Sequence, residues 1–212
     1  MIGVFLFWTI WLLDAKILYM SIIDQVEKIV RETCAKETNE FTYALETHFI
    51  PVVTNAKILA QKMGADLEIV TIAAWLHDYA SVYDAKLMPG HHLHSPKFAQ
   101  EILSRLNYPQ DKIDQVKHCI EAHRGSQGIK RQTLEAECVA SGDAMAHITE
   151  FPSLLILAWK VHNMGYHEGI DFALGKMERS WNKLIPEAKK LIKDQYEAIK
   201  KVFSAKGGSA SG

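Results

Sequence analysis

From residue 21 onward, apolar residues recur at the spacing of helix faces, and we find no convincing strand pattern. Residues 22–30 carry apolar side chains on one face behind Ser21, a residue type that caps helix N-termini. Residues 41–63 form a second helical pattern, in which Pro51 predicts a kink or a fresh helix start close to His48. Residues 67–78 are apolar nearly all round, which is typical of a helix at the centre of a fold.

The helical pattern continues to residue 203. Ser95 followed by Pro96 predicts a helix start after a polar loop, and this helix runs to about residue 106. Further helices are predicted at residues 110–123, at residues 133–148 and from Pro152. A long pattern over residues 170–203 allows a break at Pro186. We therefore predict an all-α helical bundle that forms a single domain over residues 21–203.

The two ends of the chain do not follow this pattern. Residues 1–13 are almost wholly apolar, but the run is shorter than the about 20 residues that span a bilayer. Residues 1–20 have three interpretations: sequence translated from a wrongly chosen start, a membrane or interfacial anchor, or a helix packed on a partner. We favour the first because Ser21 already begins a capped helix, so membrane contact is expected only if the anchor is genuine. Residues 204–212 are predicted to be a flexible tail.

Composition narrows the class of protein. With 48% hydrophobic and 23% charged residues, a chain of 212 residues can bury a sizeable core without a structural metal. A formal net charge of −1 provides no basic field, so we predict no nucleic-acid partner. The three cysteines are odd in number and far apart, which indicates a reducing compartment and predicts a cytoplasmic protein.

Ionisable residues interrupt the apolar helices at three places. His77 and Asp78 end the apolar third helix, Asp143 lies among small apolar residues, and His48 lies on a helix with an apolar face. A His-Asp pair can simply cap a helix end, but a buried carboxylate is costly unless it is paired or binds a metal. Two imidazoles and two carboxylates suit a divalent first-row ion and leave positions open for water and substrate.

The order His, His-Asp, Asp resembles the HD-domain superfamily of metal-dependent phosphohydrolases. The resemblance covers about residues 48–148, and its motifs are residues 46–48, 72–78 and 141–144. Tyr79 and Ala80 depart from the Ile-Gly that follows the dipeptide in many members, and Gly142 precedes the last aspartate. The resemblance implies an HD-domain helical bundle that holds one or two divalent ions (Mn, Fe, Mg, Co, Ni or Zn). It implies four core ligands: His48, His77, Asp78 and Asp143.

The resemblance also implies a second ion, held by His94 and His123 with Asp78 bridging. His118 competes with His123, but five residues of helix turn it about 140° away, and the helix-end position favours His123. The remaining histidines of this region are predicted to be solvated or to support the ligands: His91, His92 and His147.

These residues predict a phosphohydrolase in which Asp78 holds the ion and an activated water attacks phosphorus. The planar guanidinium of Arg124 can bind the phosphate, although a cation there can also merely cap the helix; Lys130 and Arg131 are alternatives in the same loop. The substrate implied is a nucleotide or another small phosphate ester. Two other classes stay open: a di-iron oxygenase of the HD type, which needs the same ligands, and a non-catalytic regulatory domain that binds metal or nucleotide.

Overall fold

The computed structural model describes residues 20–124 and 128–204, and each regular element in these two ranges is a helix. The predicted all-α, single-domain bundle is confirmed. The expected N-terminal extension (residues 1–20) and flexible tail (residues 204–212) lie outside the described residues except for Met20 and Ser204, so the proposed boundaries stay predictions.

The elements are named here in chain order. The first half contains α1 (Ile22–Cys34), a π-helical turn (Leu45–Phe49), α2 (Ile50–Met63), α3 (Leu67–Leu76), α4 (Tyr79–Tyr83), a 3-10 turn (Ala85–Gly90) and α5 (His91–Arg105). The second half contains α6 (Gln110–Ala122), α7 (Leu134–Thr149), α8 (Phe151–Ile156), a second π-helical turn (Leu157–Val161), α9 (Tyr166–Lys183) and α10 (Pro186–Ser204).

Helix α3 lies at the centre of the bundle. Residues 69–76 are all buried, and the helix packs against α1, α2, α6 and α7. Its first turn is held by Asp66, whose carboxylate accepts hydrogen bonds from the backbone N–H groups of Glu68 and Ile69. Helix α3 ends at Leu76, so the next two residues, His77 and Asp78, lie at the end of this central helix in the interior of the fold.

The most extensive helix contact among the described residues joins α2 and α7, and Gly142 lies within it. A Cβ atom at Gly142 would lie 2.8 Å from Ala56 Cβ and 2.9 Å from the Ala56 backbone nitrogen. Both distances are shorter than side chains allow, so the missing side chain lets the two backbones approach. This approach brings Asp143 of α7 towards His48, which precedes α2.

We expect Gly142→Ala to lower the free energy of unfolding by about 1–3 kcal/mol, because an added methyl group forces two packed backbones apart. Gly175→Ala is the matched control in helix α9, since its Cβ would meet only the flexible end of Arg179. Alanine is the better helix former, so the control variant should be neutral or stabilised. Urea unfolding of both variants is the measurement, and equal effects at the two positions would contradict this account.

The structure corrects two expectations about helix boundaries. Helix α5 begins at His91 rather than at Ser95, and Pro96 lies inside it. Residues 79–83, expected in a polar loop, form the short and largely buried helix α4. The break that the sequence allows at Pro186 is present, since the long C-terminal pattern is divided into α9 and α10 and the second helix begins at Pro186. The early start of α5 has a tertiary cause, because His91 and its neighbour His92 are held by residues from other elements.

Other expectations concern compartment and membrane. The three cysteines (Cys34, Cys119 and Cys138) are buried and carry free thiols. The cytoplasmic location stays a prediction. No helix within residues 20–124 or 128–204 combines the length and the apolar character needed to cross a membrane.

Candidate metal centre

The four predicted core ligands meet beside the C-terminal end of α3. His48 Nε2 lies 3.0 Å from His77 Nε2, 3.3 Å from Asp78 Oδ2 and 3.8 Å from Asp143 Oδ1. Atoms that share one ion at bond lengths of about 2.0–2.2 Å lie roughly 3.0–3.6 Å from one another. The spacing of His48, His77 and Asp78 therefore fits a single divalent ion, and Asp143 reaches this group through His48.

His48 lies in a π-helical turn, which agrees with the kink that the sequence predicts near it. The Ile50 N–H donates to the carbonyl of Leu45, five residues earlier, instead of four. Pro51 follows at the start of α2, where a residue without an N–H costs little. Such single π turns are frequent at functional sites because they re-aim one side chain within a helix.

Three histidines of the centre are held in the same tautomer by their own backbone. In His77, His91 and His123, Nδ1 donates to the carbonyl three residues earlier, at 2.8 Å for His77 and 2.7 Å for His91. This donation leaves the lone pair on Nε2, and in each ring Nε2 faces the carboxylate of Asp78. A fixed Nδ1–H with a free Nε2 is the arrangement that metal-binding imidazoles need.

Asp78 presents its two oxygens to different histidines. Oδ2 lies beside His48 and His77, whereas Oδ1 lies 3.1 Å from His91 Nε2 and 3.6 Å from His123 Nε2. In the part of the chain that the structure describes, Oδ1 is buried and accepts no hydrogen bond. A buried carboxylate oxygen without a donor is costly, and a cation would satisfy it. The donor set therefore fits a carboxylate that bridges two ions.

His91 takes the place that the sequence assigned to His94. Among the described residues, His94 belongs to none of the groups of side chains close enough to share an ion. Its ring instead lies over Gly90, 3.3 Å from where a Cβ atom there would be. Because α5 already begins at His91, the two histidines are three residues apart on one helix and about 60° apart around it. His123 does lie beside Asp78, as expected.

Two residues that the sequence did not assign as ligands surround Asp143. His147 Nε2 lies 3.6 Å from Asp143 Oδ1, and its ring stacks on that of His48 with centroids 5.4 Å apart. His48, Asp143 and His147 are close enough to form a third possible ligand group. Lys183 Nζ donates to Asp143 Oδ2 at 2.6 Å. Lys183 lies 40 residues further along the chain, so no local pattern indicates the contact.

Both carboxylates are charged in spite of their burial. Burial by itself raises the pKa of Asp78, but the nearby imidazoles when protonated, His91 first, and a hydrogen bond from His48 hold this pKa well below its usual range. Burial acts on Asp143 in the same way, and the ammonium of Lys183 is the main group that holds its pKa low. The centre therefore offers two anionic ligands.

The pKa values of three imidazoles of the centre are lowered, which favours the neutral form of each ring. Burial lowers the pKa of His77 and of His147, and it lowers the pKa of His123 to about 3. A neutral imidazole keeps a lone pair for a metal, whereas a protonated one does not. Neutral histidines beside charged carboxylates make a ligand set for a divalent cation.

Comparison with known proteins agrees with this geometry. Residues 45–147, which contain all four core ligands, match the family model described as HD domain. Residues 45–147 are an HD domain. Ribonuclease Y of Rubrobacter xylanophilus is 30% identical to this chain over 99 residues, which is 47% of the chain. The chain spans only 17% of the length of that protein.

Solved structures of similar fold extend the likeness beyond the HD domain itself. Bacillus subtilis YpgQ has a TM-score of 0.67 at 18% identity, covering 90% of this chain and 96% of that one. The structure of YpgQ in complex with ADP has a TM-score of 0.65 at 18% identity, covering 90% of this chain and 98% of that one. A predicted HD superfamily hydrolase from an uncultured Thermotogales bacterium has a TM-score of 0.60 at 17% identity, covering 91% of this chain and 95% of that one. At these identities the likeness shows the fold.

A cavity of about 150 Å³ opens beside the metal centre of the HD domain. Its wall is mainly apolar and includes Phe41, Val82, Met88, Leu154 and Leu157. At one end it reaches four residues of the centre: His48, Asp78, His91 and His147. Lys176 of α9 also lines the cavity and is the one Lys or Arg on its wall among the described residues. Lys176 lies beyond the HD domain, which is why the motif did not indicate it.

The structure does not bring the three predicted phosphate-binding residues to this cavity. Arg124 Nη1 donates to the carbonyl of Pro89 at 3.1 Å, and Arg131 forms an ion pair with Glu137 at 2.8 Å. Lys130 is exposed. None of the three lines the cavity wall, and the side chains of Arg124 and Arg131 instead contact other parts of the protein.

Proposed function

We propose that this protein is a metal-dependent phosphohydrolase that acts on a nucleotide or another small phosphate ester. The observation that carries the proposal is the position of Asp78. One oxygen of this partly buried carboxylate faces His48 and His77, and the other faces His91 and His123.

Each group of residues has a separate task in the proposal. His48, His77, Asp78 and Asp143 hold one divalent ion, and Asp78 with His91 and His123 holds a second. A divalent ion supplies the charge that polarises a phosphoryl oxygen and lowers the pKa of a nearby water. With several imidazoles among the ligands, Mn, Fe, Co, Ni or Zn suits the centre better than Mg.

The cavity supports a small substrate. Hydrolysis adds water across the ester bond, so the water oxygen joins phosphorus and a proton passes to the departing alcohol oxygen. The mainly apolar wall would receive the non-phosphate part of the ester and exclude bulk water from the reaction. The complex of YpgQ with ADP supports a nucleotide as one such ester. The net charge of −1 supports a small-molecule substrate rather than a nucleic acid.

The test measures metal content and phosphate release on protein purified without chelators. We expect at least one divalent ion per chain by elemental analysis. Phosphate release from one or more nucleotides or simple esters should stop with a chelator and return with added metal. A fully metal-loaded protein that releases no phosphate from any ester would contradict the proposal.

A second candidate is a di-iron oxygenase, and the bridging position of Asp78 between two histidine groups is the observation that favours it. Iron-dependent oxygen uptake with a polyol or a phosphonate, without phosphate release, would support this function. Metal or nucleotide binding without either reaction would support the regulatory alternative instead.

A further inference from the structure

Two polar side chains on the cavity wall have no hydrogen-bond partner in the described part of the chain. Lys176 lines the cavity from α9 and makes no hydrogen bond or ion pair with a described residue. The hydroxyl of Tyr43 is buried, lines the same cavity and likewise has no hydrogen-bond partner there. The nearby hydroxyl of Thr47 donates to the Tyr43 carbonyl at 2.9 Å and forms no hydrogen bond with either group.

Burying Lys176 and the Tyr43 hydroxyl without hydrogen-bond partners costs free energy. Burial disfavours the charged form of Lys176 and lowers its pKa, and only the more distant carboxylates, Asp143 first, oppose this. A buried hydroxyl that gives up its bond to water is also unfavourable. Both groups donate hydrogen bonds, so the ligand that would satisfy them together is a hydrogen-bond acceptor with negative charge.

The formal charges around the metal centre also favour an anionic ligand. Counted by formal charge, with the histidines taken as neutral, Asp78 and Asp143 contribute two negative charges and Lys176 and Lys183 contribute two positive charges. The net charge of this group is therefore close to zero before any metal binds. A divalent ion makes it positive, and a phosphate dianion restores the balance.

We propose that Lys176 and Tyr43 form an anion-binding subsite that contacts the phosphoryl oxygens of the substrate. This rests on the proposed function and names the residues that recognise the phosphate. In this arrangement the ammonium and the hydroxyl orient the phosphoryl group, and the apolar wall contacts the remainder of the ester.

The experiment compares Lys176→Met and Tyr43→Phe with the wild-type, metal-loaded protein, using inorganic phosphate as the probe in calorimetric titration. We expect Lys176→Met to weaken phosphate binding by about 10- to 100-fold, and Tyr43→Phe by about 3- to 10-fold. Lys176→Arg keeps the charge and should recover part of the affinity. Lys190→Met removes an exposed lysine charge from α10 and should bind phosphate like the wild type.

The melting temperature measured without phosphate distinguishes a phosphate-binding role of the two residues from a structural one. Each variant removes a polar group without a partner, so the melting temperature should stay the same or rise while phosphate affinity falls. Metal content should not change. Unaltered phosphate affinity in Lys176→Met, a marked fall in its melting temperature, or loss of its metal would overturn the subsite.

Parallel assays separate this inference from the proposed function. If phosphate binds in a Lys176-dependent manner but no ester is hydrolysed, the subsite stands and the hydrolase proposal fails. If esters are hydrolysed and Lys176→Met leaves both KM and phosphate affinity unchanged, the hydrolase stands and the subsite fails.

Discussion

An Asp78→Ala protein is expected to fold, to lose its bound metal and to release phosphate more than about 100-fold more slowly than the wild type. Loss of a partner outside the ligand set typically costs about 10- to 100-fold in metal affinity or activity, and Asp78 lies in direct reach of both proposed ion positions. The fold should survive because the Asp78 side chain caps no helix and the apolar core is large.

Metal per chain and phosphate release should be measured side by side for this variant. Asp78→Asn keeps the shape without the charge and should fail in the same way. Asp84→Asn changes an exposed aspartate six residues away and should behave like the wild type. Arg124→Ala should also keep its metal, because a guanidinium does not bind a cation. An Asp78→Ala protein that retains both metal and activity would rule out the proposed mechanism.

Lowering the pH of the metal-free protein from 7.5 to 5 is expected to reduce its free energy of unfolding by about 2 kcal/mol through His123 alone. Burial holds the pKa of His123 at about 3 in the folded protein, whereas an unfolded histidine titrates near about 6.5. Between these values the unfolded chain binds a proton that the folded one does not, so acid favours unfolding. His77 and His147, whose pKa values burial also lowers, add to the effect in the same direction.

Urea unfolding at pH 5, 6 and 7.5 measures this dependence. His123→Gln has no titrating group at this position, so its loss of stability between pH 7.5 and 5 should be smaller by about 2 kcal/mol. His167→Gln replaces an exposed histidine and should keep the wild-type pH dependence. If His123→Gln and the wild type lost the same free energy of unfolding between pH 7.5 and 5, burial of a neutral His123 would not be the cause of the pH dependence.

The sequence by itself determined most of the helices and indicated the four residues predicted to be core ligands. Ser21, Asp66 and Thr133 each cap the helix that the pattern predicted behind them, because capping depends only on residues a few positions apart. His48 and Asp143 were recognisable because ionisable groups on apolar helices need a compensating partner. The metal-binding role of these residues stays a prediction.

Only the tertiary structure decided which other residues join the site. His91 rather than His94 faces Asp78 because the start of α5 is fixed by contacts with other elements, and three residues change the direction of a side chain. From α9, a helix outside the HD domain, Lys176 lines the cavity and Lys183 contacts Asp143. Such contacts depend on how distant helices pack, as Gly142 packs against Ala56, and no periodicity or spacing within one segment contains that information.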